Sequence, residues 1–159
     1  MTAMELTERQ LANFWAKIDK TETCWNWTAG TSHGYGVFHV GRKARPAHRV
    51  SYQIHVGAIQ EGRQLDHICH NRPCVNPAHL RPVTAKQNCE NAGGAQRNSK
   101  SGVRGVTWDN SRLKWRASIC HDWKQMNLGC YKTIEEAERV VVAKRLELFT
   151  HSDMDKRAS

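Results

Sequence analysis

Hydrophobic positions along this chain switch between two periods, and each switch marks an element. Leu11, Phe14, Trp15 and Ile18 share one face of a 3.6-residue repeat, and Thr7 with Gln10 forms a capping box, which predicts a helix over residues 7–18. Period two takes over in GYGVFHVGRKARPAHRV, where Tyr35, Val37, Phe38 and Val40 precede a turn at Gly41-Arg42 and a return strand. A helix is predicted over residues 47–56, closed by Gly57. Leu65-Asp66-His67 reads as a short strand, followed by a long loop and a second strand over residues 80–83. Thr84 and Gln87 form another capping box, opening a short helix that carries Asn88.

Residues 93–101, GGAQRNSKS, are polar, basic and glycine-containing, and read as a solvated linker. Beyond them GVRGVTWD, KWRASICHD and KQMNLGCY predict three short strands. Thr133 and Glu136 then cap a helix to about Phe149, with Ile134, Ala137, Val141 and Leu148 on the face that covers the sheet. The predicted division is an N-terminal helix (1–21), a middle domain (22–92), the linker (93–101), a sheet-and-helix domain (102–150) and a polar tail (151–159).

Composition narrows the possibilities. At 159 residues and 39% hydrophobic, with a mean hydropathy of −0.70, the chain is thin for one large core, and small domains of this kind often need a staple such as a metal. No apolar run approaches a membrane span and no signal-peptide pattern is present, so the expected location is intracellular. In that setting the six cysteines read as metal ligands and free thiols rather than disulfides. A formal charge of +9 favours a polyanionic partner, with no membrane role. Residues 97–132 hold eight Lys/Arg against Asp109 and Asp122, a net +6, so the sheet is the cationic part.

Two chemistries interleave in LDHICHNRPCVNPAHLRPVTAKQN. Cys69, Cys74 and His79 are each separated by four residues and are ligand types that suit Zn²⁺. A closed tetrahedral site needs a fourth ligand. Cys24 is the preferred one, because it begins the same domain just before Trp25 and Trp27, with His70 a local rival and His48 a distant one. Cys89, Cys120 and Cys130 lack such company and read as buried small hydrophobes. Asp66, His67 and Asn88 around this frame are the types a metal-dependent phosphodiesterase needs. His67 is mostly neutral at physiological pH and can act as a general base. Asn88 offers a carbonyl oxygen to a hard ion such as Mg²⁺. Asp66 can join it if the strand bends or ends there. Asn76 suits tying loop backbone together and orienting His67.

CWNW at 24–27, AHR at 47–49, DHIC at 66–69, CVNPAHL at 74–80 and Asn88 resemble an HNH endonuclease of the ββα-metal superfamily. The zinc frame is similar to that of the His-Cys box homing endonucleases, in which the base histidine and the magnesium-binding asparagine are separated by the His67–Asn88 interval. The resemblance implies His67 as base, Asn88 and Asp66 as magnesium ligands, Asn76 as loop anchor and Arg49 on the phosphate. Residues from Gly102 to Phe149 resemble an AP2 DNA-binding domain, whose sheet lies in the major groove. By position Arg104, Trp108, Lys114, Arg116 and Lys124 would carry that contact; Trp115 alternates with Lys114 and Arg116 and could instead be core.

The expectation is therefore an α+β chain: a zinc-stabilised ββα-metal nuclease domain followed by an AP2-like three-stranded sheet plus helix. It would be a homing-type endonuclease like those of bacteriophages, cutting duplex DNA with Zn²⁺ as structural and Mg²⁺ as catalytic ion, and leaving 5′ phosphate and 3′ hydroxyl. A non-catalytic zinc-containing DNA-binding protein is the main alternative, and a structured-RNA binder a further one.

Overall fold

A computed structural model describes residues 6–158 and separates the chain into two compact units, the division falling between Ala85 and Lys86. That boundary lies inside the helix expected to end the middle domain.

In the first unit α1 (Glu8–Trp15) begins at Thr7, whose side chain accepts from the Gln10 amide while Gln10 returns a bond to the Thr7 amide. The helix stops at Trp15, short of the expected Ile18. Ile18 instead opens β1 (Ile18–Lys20), which pairs antiparallel with β2 (Trp25–Trp27). Its apolar side chain reaches the core from a strand as well as it would from a helix. β3 (Thr31–Ser32), β4 (Tyr35–Val40) and β5 (Lys43–Pro46) form a three-stranded sheet, with Val40 opposite Lys43 across the expected turn. α2 (Ala47–His55) follows directly, then β6 (Gln64–His67) and β7 (Leu80–Val83), which pair antiparallel with His67 opposite Leu80.

The core of this unit is aromatic. Phe14 from α1 sits 5.3 Å from Trp27 and 5.1 Å from Phe38 between ring centroids, and Ala47, Val50 and Val75 complete the cluster. Gly36 explains how Trp27 fits: a Cβ there would lie 2.5 Å from the indole Cγ, so β4 can approach only without a side chain. A second cluster of Tyr52, Ile59, Leu65 and Leu80 packs the end of α2 against the β6–β7 pair.

α3 (Ala85–Glu90) begins at the last residue of the first unit, and the second unit holds a sheet of order β10–β9–β8: β8 (Val106–Asp109), β9 (Lys114–His121) and β10 (Lys124–Tyr131), all antiparallel. α4 (Ile134–Leu148) starts at Thr133, which accepts from the Glu136 amide as expected, and covers the face that carries Val106 and Ala117 through Ala137 and Val141. α5 (Asp153–Ala158) lies within the expected polar tail and is tied to α4 by Asp155, whose two oxygens each accept at 2.8 Å from the Arg145 guanidinium.

The predicted linker is ordered by Ser101. Its hydroxyl donates to the Val106 carbonyl at 2.7 Å and accepts from the Val103 amide at 3.1 Å, and residues 93–96 and 98–101 line, with β8, a groove of about 690 Å³. Cys89 and Cys120 are exposed and Cys130 is half-buried, which corrects the expectation of buried thiols. Among the described residues no helix is long and apolar enough to cross a membrane.

Candidate metal centre and base

The loop between β6 and β7 is drawn onto β2 by backbone pairing. Val75 donates to the Trp25 carbonyl at 2.7 Å, Trp27 donates to the Pro73 carbonyl at 2.9 Å, and Asn71 donates a side-chain bond to the Asn26 amide oxygen at 2.7 Å. Cys24, immediately before β2, is thereby brought to Cys74. Asn76 fastens the far side. Its Nδ2 donates to the Thr23 carbonyl at 3.0 Å, and its Oδ1 accepts from the Ala78 amide, capping the 3₁₀ turn Pro77–His79 that aims His79 inward.

The result is a Cys3His cluster. One ligand atom each from Cys24, Cys69, Cys74 and His79 lie within 4.8 Å of one another. Both Cys24 Sγ and Cys74 Sγ stand 3.6 Å from His79 Nδ1. Zn–S of about 2.3 Å and Zn–N of about 2.0–2.1 Å in a tetrahedron require a sulfur–nitrogen edge of roughly 3.5 Å, so this donor set fits zinc in kind and in spacing. His70 and His48 stand outside the cluster.

Electrostatics also favour a cation. Burial pushes the Cys74 thiol up to about 12, against amide bonds from Asn76 and Trp25, and burial raises Cys69 as well. Burial also works against the thiolate of Cys24. There it is outweighed by hydrogen bonds from Asn71, Cys74 and Cys69, which bring that thiol below its ordinary value. Thiols packed this closely ionise together only beside a positive charge.

His67 ends β6 and is buried, 7% exposed. Its Nε2 lies 2.9 Å from the carbonyl of Cys74. A carbonyl can only accept, so Nε2 carries the proton and the neutral ring keeps its lone pair on Nδ1. Burial lowers the His67 pKa, outweighing the Cys74 carbonyl and Asp66, which favour the cation. The imidazole is packed by two rings that the sequence did not single out for this purpose: His48 of α2 at 4.9 Å and Tyr35 of β4 at 5.8 Å. His48 is itself held at about 3 by burial, then by the charges of His67 and Arg49.

Asp66 is buried and opposite Arg81 in the β6–β7 register, and its Oδ2 accepts from Arg81 Nε at 3.0 Å and Nη2 at 2.9 Å. Arg81 is a partner that sequence reasoning missed, though antiparallel pairing of two adjacent short strands is the signal that would have found it. Arg49 is half-buried on α2, and among the described residues none bonds its guanidinium. Asn88 lies half-buried on α3, in the second unit.

The residues expected to touch DNA divide by the pleat of the second unit's sheet. Lys114 and Arg116 are exposed on the face away from α4. Trp108 is instead opposite Trp115, with ring centroids at 5.0 Å, on the face that carries Val106 and Ala117; Trp115 is indeed a core neighbour. Lys124 pairs with His121 on that same face, exposed at the hairpin end. Arg104 departs furthest from the expectation. Its guanidinium donates to the carbonyls of Cys89 at 2.8 Å, Glu90 at 3.0 Å and Ala92 at 2.7 Å, so it serves as a cap for the C-terminal end of α3.

With this geometry in hand, comparison with known proteins is informative. Residues 45–89, from the end of β5 through α2, the β6–β7 pair and most of α3, match the family model described as HNH endonuclease. A curated relative, the "Uncharacterized gene 5.3 protein" of Enterobacteria phage T3, is 39% identical over 41 residues, which are 26% of this chain and 41% of that protein. The match thus spans less than half of the relative's length. No solved structure matches.

Proposed function

We propose that the chain is a metal-dependent DNA endonuclease of the homing type, with its chemistry carried by residues 45–89 and duplex binding by the sheet of the second unit. The observation that carries this reading is the locked tautomer of His67: a buried neutral imidazole whose Nδ1 lone pair is the basic atom, set one residue from Asp66 and inside the matched segment. Hydrolysis of a phosphodiester starts with removal of a proton from water, and His67 Nδ1 is the group placed to take it. The Cys74 carbonyl holds the ring as it becomes cationic, because Nε2–H stays bonded throughout. Arg49, one residue from His48 on α2, is the cation for the scissile phosphate. Asp66 and Asn88 supply carboxylate and amide oxygens, the donors Mg²⁺ takes, and that ion would neutralise charge at the phosphate and the leaving 3′ oxygen.

Cys24, Cys69, Cys74 and His79 would hold zinc in a structural role, which would fix the loop whose Cys74 carbonyl orients His67. Lys114 and Arg116 on the open face of the sheet supply phosphate and base contacts in the manner of an AP2-like domain. The Asp66–Arg81 ion pair favours a second reading, a zinc-containing DNA-binding protein without cleavage, since Arg81 competes with a metal for Oδ2. Supercoiled-plasmid cleavage with added Mg²⁺, run beside the His67→Ala protein, separates the two. Nicked or linear product that requires both Mg²⁺ and His67 supports the nuclease. A mobility shift with no product from either protein, on DNA that carries the target site, supports the binding protein.

A further inference from the structure

The β9–β10 hairpin carries an indole where the backbone favours glycine. His121 and Lys124 pair across the strands, leaving Asp122-Trp123 as a two-residue turn. Both turn residues have positive φ, +48° at Asp122 and +64° at Trp123. Left-handed conformation at both central positions is the geometry that Asn-Gly or Asp-Gly fill without strain. Aspartate tolerates it, whereas a tryptophan Cβ crowds the backbone there. Trp123 is also 95% exposed, the highest value among the exposed large hydrophobic side chains. The fold therefore gains no burial from this side chain and carries its strain.

The turn is nonetheless held firmly. Asp122 bonds Lys86 Nζ at 2.6 Å and lies 3.4 Å from His121 Nδ1, and the two strands behind it pair at seven positions. The indole thus stands on a braced post. Its surroundings are polar: Lys124 follows it on β10, and Lys86 stands beside it in its ion pair with Asp122. A protein-binding hot spot would be ringed by apolar groups that exclude water, and a membrane-seeking surface would present an apolar face. A single flat, exposed indole followed by a lysine is the combination that stacks on a nucleobase while the amine neutralises a phosphate beside it.

We infer that Trp123 is a wedge that stacks into a base step of duplex DNA, with Lys124 on a flanking phosphate and the Lys86–Asp122 pair bracing the turn. This rests on DNA being the partner and is independent of whether the first unit cuts it. The test uses the full chain without added magnesium and two fluorescein-labelled duplexes of mixed sequence, one fully paired and one with a central unpaired base beside 2-aminopurine. Trp123→Gly removes the indole and relieves the turn, so it should raise the melting temperature while weakening binding about 10-fold. Trp123→Phe should stay within about 3-fold of the parent chain. The parent should prefer the duplex with the unpaired base and brighten its 2-aminopurine, and Trp123→Gly should lose both effects. The slope of affinity against salt should be unchanged, because an indole releases no counterions. Equal DNA affinity for the parent and Trp123→Gly would overturn the wedge while leaving DNA as partner. If the parent binds neither duplex, the partner itself is wrong and the wedge falls with it.

Discussion

The Nε2 of His67 bonds the carbonyl of Cys74, so the proposed base and the candidate metal frame share one residue: Cys74 gives its sulfur to the cluster and its backbone oxygen to the imidazole. Disturbing the frame should therefore disturb the base. The reverse does not follow, because His67 contributes no atom to the cluster.

The first prediction exploits this asymmetry. His67→Ala should abolish plasmid cleavage, with zinc content near one ion per chain by elemental analysis and circular dichroism close to that of the parent. General-base removal alone costs about 10²–10⁴-fold in rate. Loss of zinc or of fold in the same variant would mean that His67 is structural.

Cys74→Ser should remove zinc and unfold the first unit, because the free energy of a structural metal site is folding free energy. Thermal denaturation followed by circular dichroism should show the first unit's transition lost, and chelation of the parent chain should reproduce it. A folded Cys74→Ser protein that retains zinc would show that the ligand set is different.

How far these sites were legible depended on whether their cause was local. The spacing of Cys69, Cys74 and His79 and the capping residues Thr7 and Thr133 act over a few residues, and the sequence shows them. Cys24 could be preferred over His70 and His48 only through the tryptophans that follow it, yet the pairing of β2 with residues 73–75 is what brings it in. The capping bonds of Arg104 were not legible, because nothing near it in sequence reveals that the carbonyls at the end of α3, some fifteen residues earlier, take a donor. The face of the sheet that Trp108 occupies was not legible, because a strand's period assigns residues to two faces without saying which one a helix covers. Ile18 left its helix because β1 pairing competed with the last turn of α1.

Buried neutral histidines predict acid sensitivity. His48, facing Tyr35, His67 and Arg49, is held at about 3 in the folded chain against about 6.5 when unfolded. Between those values the unfolded chain binds a proton that the native chain excludes, so native stability falls as pH drops below 6.5 and is unaffected by His48 above it. The slope is up to about 1.4 kcal/mol per pH unit. His67, lowered in the same direction, adds to it. Denaturant titrations from pH 7 to 4.5 should show the decline, and His48→Leu should flatten it. An unchanged slope in that variant would assign the acid sensitivity elsewhere.

Arg104 and Arg116 should separate stability from DNA affinity, although both are arginines of the cationic unit. Arg104 is spent on three backbone carbonyls, and Arg104→Ala would strip charged donors from the end of α3, costing roughly 2–3 kcal/mol of stability. Arg116 is exposed on the open face of β9, so Arg116→Ala should leave the melting temperature within a degree or two. Its effect should fall on DNA binding, reducing the slope of log affinity against log salt by about 1, the share of one phosphate contact. Anisotropy titrations at several salt concentrations, paired with thermal melts, measure both quantities for each variant. A stable Arg104→Ala protein with a reduced salt slope would return Arg104 to the DNA interface. An unchanged slope in Arg116→Ala would mean that the open face of the sheet does not meet DNA at that residue.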